Sequence, residues 1–152
     1  MEYELIRRRI EDIIPLNRLL GIQIVSIAEG IAEARLPFRK DIANHLGSVH
    51  ATAIFSVAEA ASGGAVAGAF AHEISKLRLV AVVGEVRFNK VSRLALIAHA
   101  AVNDLLRALR GCLAGAGKIE IDVSVAVCDE IGTDIAATQV KAAIGQRRRA
   151  LT

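Results

Sequence analysis

The sequence has few aromatic residues and few cysteines. Its 152 residues include no Trp, one Tyr and four Phe, so aromatic residues make up only 3%. Single-stranded nucleic acids stack their bases on aromatic side chains, and we therefore expect no nucleic-acid partner. The two cysteines, Cys112 and Cys128, have no CxxC motif or neighbouring histidine, which argues against a zinc site or a disulfide framework. This usage fits a reducing cytosol, so we expect a cytoplasmic protein without a metal ion.

Apolar residues, in contrast, make up 53% of the chain, which predicts a folded domain rather than a disordered chain. The length suits one domain over residues 1–152, with an N-terminal helix (2–20), a core (21–145) and a loose basic tail (146–152). The first nine residues are charged and lack an apolar core, unlike a secretory signal. The net charge is +3, with arginine triplets at 7–9 and 147–149. We interpret these triplets as solvated termini, and an anionic partner is the alternative.

A long apolar stretch lies between residues 51 and 71. The only polar side chains between residues 53 and 71 are Ser56, Glu59 and Ser62. A helix that is apolar on every face is either buried or crosses a membrane. We favour burial, because 12 of the 21 residues are Ala or Gly and a carboxylate near the centre of a bilayer is strongly disfavoured. Ser48 is the predicted N-cap of this helix.

Periodicity predicts the other elements. The apolar spacing of residues 2–14 is helical, and Pro15 ends or kinks this helix. Strands are predicted at residues 22–28, 31–37, 79–90, 94–102, 118–128 and 134–144, with a short helix at 103–113. Connections of hairpin length make the late strands mostly antiparallel. The fold class is therefore α+β, with a six-stranded sheet against the long helix. One sheet face does not cover a helix that is apolar all round, so we expect at least a dimer.

The residues before the long helix carry a resemblance to a known family. They read Asn44-x-x-Gly47-x-x-His50, and Glu59 follows nine residues later. This pattern is similar to that of hotdog-fold thioesterases of the phenylacetyl-CoA type, in which a curved antiparallel sheet wraps a central helix. The resemblance covers roughly residues 16–144. It implies a hotdog fold that assembles as a homodimer or a dimer of dimers.

The resemblance also implies catalytic roles. Glu59 matches the acidic residue that acts as nucleophile or general base, and Asn44 matches the residue that positions the water or the carboxylate. The backbone N–H of Ala51 matches the donor that polarises the thioester carbonyl, and His50 matches a histidine that holds the loop and the substrate. In this family the acid of one subunit works with the loop of the other.

The implied substrate is an acyl-CoA, with coenzyme A as part of the substrate and no separate cofactor. Its predicted binding residues are Gly47, Thr52, Arg87, Lys90 and Arg93, of which the basic ones suit the coenzyme A phosphates. Two features depart from the family pattern. Ala51-Thr52 replaces a Gly-Gly pair, and the acid is Glu rather than Asp, which places the chain among poorly characterised thioesterase-like members.

Each of these roles has a structural alternative. Glu59 would then be a buried carboxylate paired with an arginine, Asn44 a turn residue, and His50 a capping or core residue. Thr52 would bond back to the backbone, and the three basic residues would be surface charges. The small residues of the helix leave room for an acyl group or pack closely against the sheet; they include Ala58, Ala60, Ala61, Gly63, Gly64 and Ala65.

Three functions remain open at this point. An acyl-CoA thioesterase is the first, with Glu59 as the acid. A non-catalytic hotdog module that binds an acyl chain, an acyl-CoA or a partner protein is the second, and the Ala51-Thr52 replacement motivates it. A hotdog dehydratase or hydratase is the third, although the spacing between the histidine and the acid differs in those enzymes.

Overall fold

The computed structural model describes residues 2–104 and 106–147. Its helices are α1 (Glu2–Ile13), α2 (Pro15–Leu20), α3 (Ala51–Ala69) and α4 (Leu106–Ala116). Its strands are β1 (Gln23–Ala28), β2 (Ile31–Leu36), β3 (Leu77–Phe88), β4 (Leu96–Val102), β5 (Lys118–Asp129) and β6 (Asp134–Gln146). Short 3-10 turns occupy Lys40–Ile42 and Ile74–Lys76.

The six strands form one antiparallel sheet in the order β1-β2-β4-β5-β6-β3, and α3 packs across it. The predicted α+β architecture is therefore confirmed. Strand β5 has the alternation that the sequence predicts: Ile121 and Val123 are buried, whereas Glu120 and Asp122 are exposed. Alternate side chains of a strand point to opposite faces, so the buried set lies on the face that packs against α3.

Small residues let α3 approach the sheet closely. Ala58, Ala61 and Ala65 have no exposed surface. A Cβ on Gly68 would collide with the carbonyl oxygen of Ala28, and one on Gly64 would lie 3.0 Å from the Cβ of Ala32. These positions therefore require small side chains. In the part of the chain that the structure describes, no helix is both long and apolar enough to cross a membrane.

Helix α1 is attached to the edge of the sheet by two polar contacts. The backbone N–H of Ile24 donates to Glu11 Oε1 at 3.1 Å, and Arg7 Nη1 donates to the Ile24 carbonyl at 3.3 Å. Arg7 and Glu11 also pair with each other at 3.0 Å. Of the apolar face predicted for this helix, Ile6 is buried but Leu5 is exposed. The helix therefore covers the core without being fully embedded in it.

The structure corrects several predicted boundaries. Strand β3 begins at Leu77 and ends at Phe88, two residues before the predicted 79–90 at each end. Helix α4 begins at Leu106 and continues to Ala116, three residues past its predicted end. Strand β6 reaches Gln146, which pairs with Leu77. Residues 148–152 of the predicted tail lie outside the described residues.

The predicted N-cap of α3 is wrong. Ser48 is fully buried, and its hydroxyl donates to Asn44 Oδ1 at 3.1 Å. This hydroxyl is therefore engaged within the loop and does not cap the helix. His50 caps the helix instead, with its Nδ1 accepting the N–H of Thr52 at 3.0 Å. The helix consequently begins at Ala51.

The sheet leaves apolar surface uncovered on β3. Helix α3, which the sequence led us to expect would need cover from a second chain, is mostly buried within one chain. Within the single chain, 13 of the 19 residues of α3 are already buried. Strand β3 is an edge strand, and Val80, Val82, Val83 and Phe88 on it are between 44% and 49% exposed. An apolar edge strand invites pairing with another chain.

Two glycine substitutions on α3 test the packing. Gly68→Ala should cost about 1–3 kcal/mol, because the added methyl group collides with the backbone of β1. Gly63→Ala, five residues earlier, should instead stabilise the fold by up to ~1 kcal/mol, since a Cβ there meets no atom within 4 Å and alanine favours the helix. Urea unfolding of both variants measures the difference. Equal effects would contradict this packing of α3.

Candidate active site

The loop before α3 is held by the side chain of Asn44. Its Oδ1 accepts the N–H of Leu46 at 2.9 Å and both the N–H and the hydroxyl of Ser48 at 3.1 Å. Gly47 has a φ of 73°, a left-handed conformation that favours glycine, and its N–H donates to the Asn44 carbonyl at 3.0 Å. Asn44 therefore has the turn role that was its structural alternative. Among the described residues its amide NH₂ has no acceptor, so this group remains available to a substrate or a partner.

His50 and Ala51 form the start of the helix. The N–H of His50 donates to the Ile42 carbonyl at 2.9 Å. Because Nδ1 of the ring accepts the Thr52 N–H, a neutral His50 carries its proton on Nε2. His50 is thus a capping residue, which was its structural alternative. The N–H of Ala51 makes no hydrogen bond within the described part of the chain, as expected for the first N–H groups of a helix.

Of the three predicted basic substrate-binding residues, Arg93 contacts this loop. Its Nη2 donates to the Leu46 carbonyl at 2.9 Å, and its Nε lies 3.9 Å from where a Cβ on Gly47 would stand. Arg87 on β3 and Lys90 after it are both exposed and do not bond to the loop in the described structure. Thr52 is exposed beside the helix start. Their substrate-binding roles stay predictions.

Glu59 lies near the middle of α3 and is partly buried. Burial raises the pKa of its carboxyl group above the ordinary glutamate value, because desolvation disfavours the charged form. None of the ion pairs within residues 2–104 and 106–147 includes Glu59. The arginine partner of the structural alternative is therefore not found there. A carboxylate without a partner in apolar surroundings is typical of a functional site.

Glu59 lines a cavity of about 380 Å³ between α1, α3 and the β3–β6 side of the sheet. Its roof is mainly the isoleucine face of α1 (Ile6, Ile10 and Ile13), together with Arg9 of the same helix and Ile14 just after it. The sequence indicated this apolar face, but sequence reasoning did not predict that it covers a cavity. No residue of the loop 44–52 lines this cavity. Within one chain, the predicted loop is therefore not part of the cavity that contains the predicted acid.

The described residues offer no metal site, since no three His, Cys, Asp or Glu side chains converge among them. The available chemistry is that of a desolvated carboxylate, a helix-start N–H with no acceptor among those residues, and a hydrogen-bonded polar loop. These groups suit acid–base or nucleophilic chemistry on a carbonyl compound.

Residues 3–144 match the family described as Domain of unknown function (DUF4442). The chain belongs to this family. No curated protein matches the DUF4442 chain.

Solved structures identify the fold of this DUF4442 chain. PA5026 from Pseudomonas aeruginosa, a protein of unknown function and probable thioesterase, has a TM-score of 0.82 at 22% identity, and the match covers 95% of each chain. A thioesterase family protein from Silicibacter pomeroyi has a TM-score of 0.78 at 18% identity, covering 95% of this chain and 99% of the other. A hypothetical thioesterase from Streptococcus pneumoniae TIGR4, crystallised with coenzyme A, has a TM-score of 0.65 at 15% identity, covering 84% and 88%.

These neighbours are hotdog-fold proteins of thioesterase families, so the hotdog fold predicted from the sequence is confirmed. Their sequence identities to this chain are all below 25%. The similarity therefore defines the fold, and the activity has to be inferred from the residues of this chain.

The pKa of Glu59 predicts how stability depends on pH. Because the folded pKa is raised above its ordinary value of 4.5, the folded state binds this proton more tightly than the unfolded chain does. Stability should therefore fall as the pH rises from about 4.5 through the folded pKa, and then level off. In Glu59→Gln this loss should be absent, so the variant should be more stable than wild type at neutral pH and equally stable in acid.

Thermal unfolding of wild type and Glu59→Gln between pH 4 and pH 8 measures this effect, since 1 kcal/mol shifts the Tm of a chain of this size by about 2–4 °C. Parallel Tm curves for the two proteins over the whole range would mean that Glu59 is solvated or paired in solution.

Proposed function

We propose that this DUF4442 protein hydrolyses the thioester bond of acyl-CoA substrates. The observation that carries the proposal is Glu59, a desolvated carboxylate in the wall of a largely apolar cavity, with no ionic partner among the described residues. The fold adds support, because its neighbours include a hypothetical thioesterase crystallised with coenzyme A. An acyl chain needs an apolar cavity, and hydrolysis of its thioester needs a base or a nucleophile at one end of that cavity.

In the proposed reaction Glu59 takes a proton from water as the water oxygen attacks the carbonyl carbon. The tetrahedral intermediate then collapses, the carbon–sulfur bond breaks, and the proton passes to the departing thiolate. The products are a carboxylic acid and the free thiol of coenzyme A. Alternatively, Glu59 attacks directly and forms an anhydride that water hydrolyses. In either route the N–H of Ala51 stabilises the negative oxygen of the intermediate.

We further propose that two copies of the chain complete the site. Within one chain, residues 44–52 do not line the cavity that contains Glu59. In addition, β3 presents an uncovered apolar edge. Phe55, one helical turn before Glu59, lies against β3, since its Cζ is 2.5 Å from where a Cβ on Gly84 would stand. The exposed edge is therefore beside the turn that carries the acid. A partner docked on this edge would bring its own Asn44 and Ala51 towards Glu59.

The coenzyme A portion of the substrate carries phosphates, which bind guanidinium groups well. Arg93 is the basic residue that we assign to this role, because it already contacts the loop that contains Gly47. Arg87, on the exposed edge strand β3, and Lys90, just after it, are assigned to the same role in binding the phosphates.

A binding module without turnover is the second candidate. One observation favours it: Ala51 carries a Cβ at the helix start, where the resembling thioesterases have glycine and the carbonyl group must approach closely. In this case acyl-CoA would bind but would not be hydrolysed.

The first test is the release of free thiol from short, long and aromatic acyl-CoAs by wild type and Glu59→Gln. We expect hydrolysis by wild type and a loss of at least about 100-fold in kcat for the variant, since a positioned base contributes ~10²–10⁴-fold. Circular dichroism checks that the variant is folded. Hydrolysis by both proteins would remove Glu59 from its role, and acyl-CoA binding without hydrolysis by either would favour the binding module.

A pair of variants at Asn44 separates structure from catalysis. Asn44→Ala removes the acceptor of three hydrogen bonds and should cost about 1–3 kcal/mol in stability. Asn44→Asp retains an acceptor oxygen, so its stability should stay near that of wild type. If the amide NH₂ orients the water or Glu59, Asn44→Asp should nevertheless lose activity. A fully active Asn44→Asp would limit Asn44 to holding the loop.

A further inference from the structure

The small residues of α3 divide between its two faces. Ala58, Ala61 and Ala65 are fully buried, and a Cβ on Gly64 would meet side chains of β1 and β2. Ala60, Gly63 and Ala67 line the cavity instead. Both alternatives for these residues are therefore realised, close packing on one face and free space on the other.

Gly63 stands at the open part of this cavity. A Cβ built on it would meet no atom within 4 Å, whereas one on the neighbouring Gly64 would lie 3.0 Å from Ala32. Gly63 is four residues after Glu59, so the two share one face of the helix. A side chain at position 63 would enter the cavity next to the acid.

The cavity runs along the helix from Glu59 to Ala67. These residues are eight positions apart, which corresponds to ~12 Å at the helical rise of ~1.5 Å per residue. An extended hydrocarbon chain with C–C bonds of ~1.5 Å advances roughly 1.3 Å per carbon. The length from the acid to the far end therefore fits about nine carbons, whereas a phenylacetyl group would fill only about half of it.

The far end of the cavity is polar. Arg78 and Arg147 line it, and Arg147 is fixed beside the first residue of β3, since its Nε donates to the Leu77 carbonyl at 2.9 Å. Strand β3 begins just after α3 ends, so these guanidinium groups lie at the end opposite Glu59. A methyl terminus that reached them would displace their water and supply no hydrogen bond in return. The two arginines thus limit the length of an apolar chain.

Taken together, the geometry points to an unbranched, aliphatic acyl group of medium length, about eight to ten carbons at this rise per residue, with Gly63 as the residue that determines specificity. The inference rests on the proposed thioesterase function and assigns its substrate class. The thioester carbonyl lies at Glu59, and the chain runs beneath the isoleucines of α1 towards the arginines.

The test measures kcat/KM for unbranched acyl-CoAs of two to sixteen carbons, and for phenylacetyl-CoA, with wild type, Gly63→Leu and Gly111→Leu. Gly111 lies on α4 and has equally open space around it, so it controls for a Gly→Leu change in a helix away from the cavity. Each added methylene should raise kcat/KM up to roughly fourfold until the cavity is filled. Gly63→Leu should lower decanoyl-CoA hydrolysis at least tenfold and shift the preferred substrate to shorter chains, whereas Gly111→Leu should leave the chain-length profile unchanged.

A binding measurement separates this inference from the proposed function. S-decyl-CoA, a thioether that is not a thioester, is titrated by calorimetry into the same three proteins. Binding that Gly63→Leu weakens tenfold, together with no hydrolysis of any acyl-CoA, would overturn the hydrolysis but support the chain-length assignment. Hydrolysis with an optimum outside eight to ten carbons, or one insensitive to Gly63→Leu, would overturn the assignment and keep the thioesterase. Neither binding nor hydrolysis would overturn both.

Discussion

The close approach of α3 to the sheet is the constraint on which the rest of the structure depends. Gly68 allows the helix backbone to pass the Ala28 carbonyl, and Gly64 allows it to pass Ala32. This contact fixes the rotation of the helix about its own axis. With one face of the helix packed on β1 and β2, Glu59 and Gly63 point away from those strands, into the space between α1 and the β3–β6 side of the sheet. The position of the acid follows from the position of the glycines.

Much of this fold could be predicted from the sequence, because periodicity is a local signal. The alternation in β5 and the unbroken apolar pattern of α3 each depend on residues that are adjacent in the chain. The N-cap could not be predicted in this way. A serine before a helix is a good cap when its hydroxyl is free, and whether Ser48 is free depends on the side chain of Asn44 across the turn.

The candidate site was predicted less completely than the fold. The pattern from Asn44 to Glu59 identified chemically suitable residues, and the structure leaves Glu59 without an ionic partner among the described residues. Sequence reasoning missed the cavity, because its roof comes from α1 and its floor from α3, more than 40 residues later in the chain. Tertiary juxtaposition of this kind leaves no trace in local periodicity.

The attachment of α1 has a consequence for how this fold can diversify. The roof of the cavity is joined to the sheet through Arg7, Glu11 and the backbone of Ile24. Glu59 and the Asn44 loop, in contrast, belong to the central helix α3 and to the segment just before it. Size and shape of the cavity can therefore change through substitutions in one peripheral helix, without disturbing the residues that hold the sheet and α3 together. Besides Gly63 on α3, the fold therefore has a second part of the cavity wall, on α1, where substitutions can alter ligand preference at little cost to the packing of α3 on the sheet.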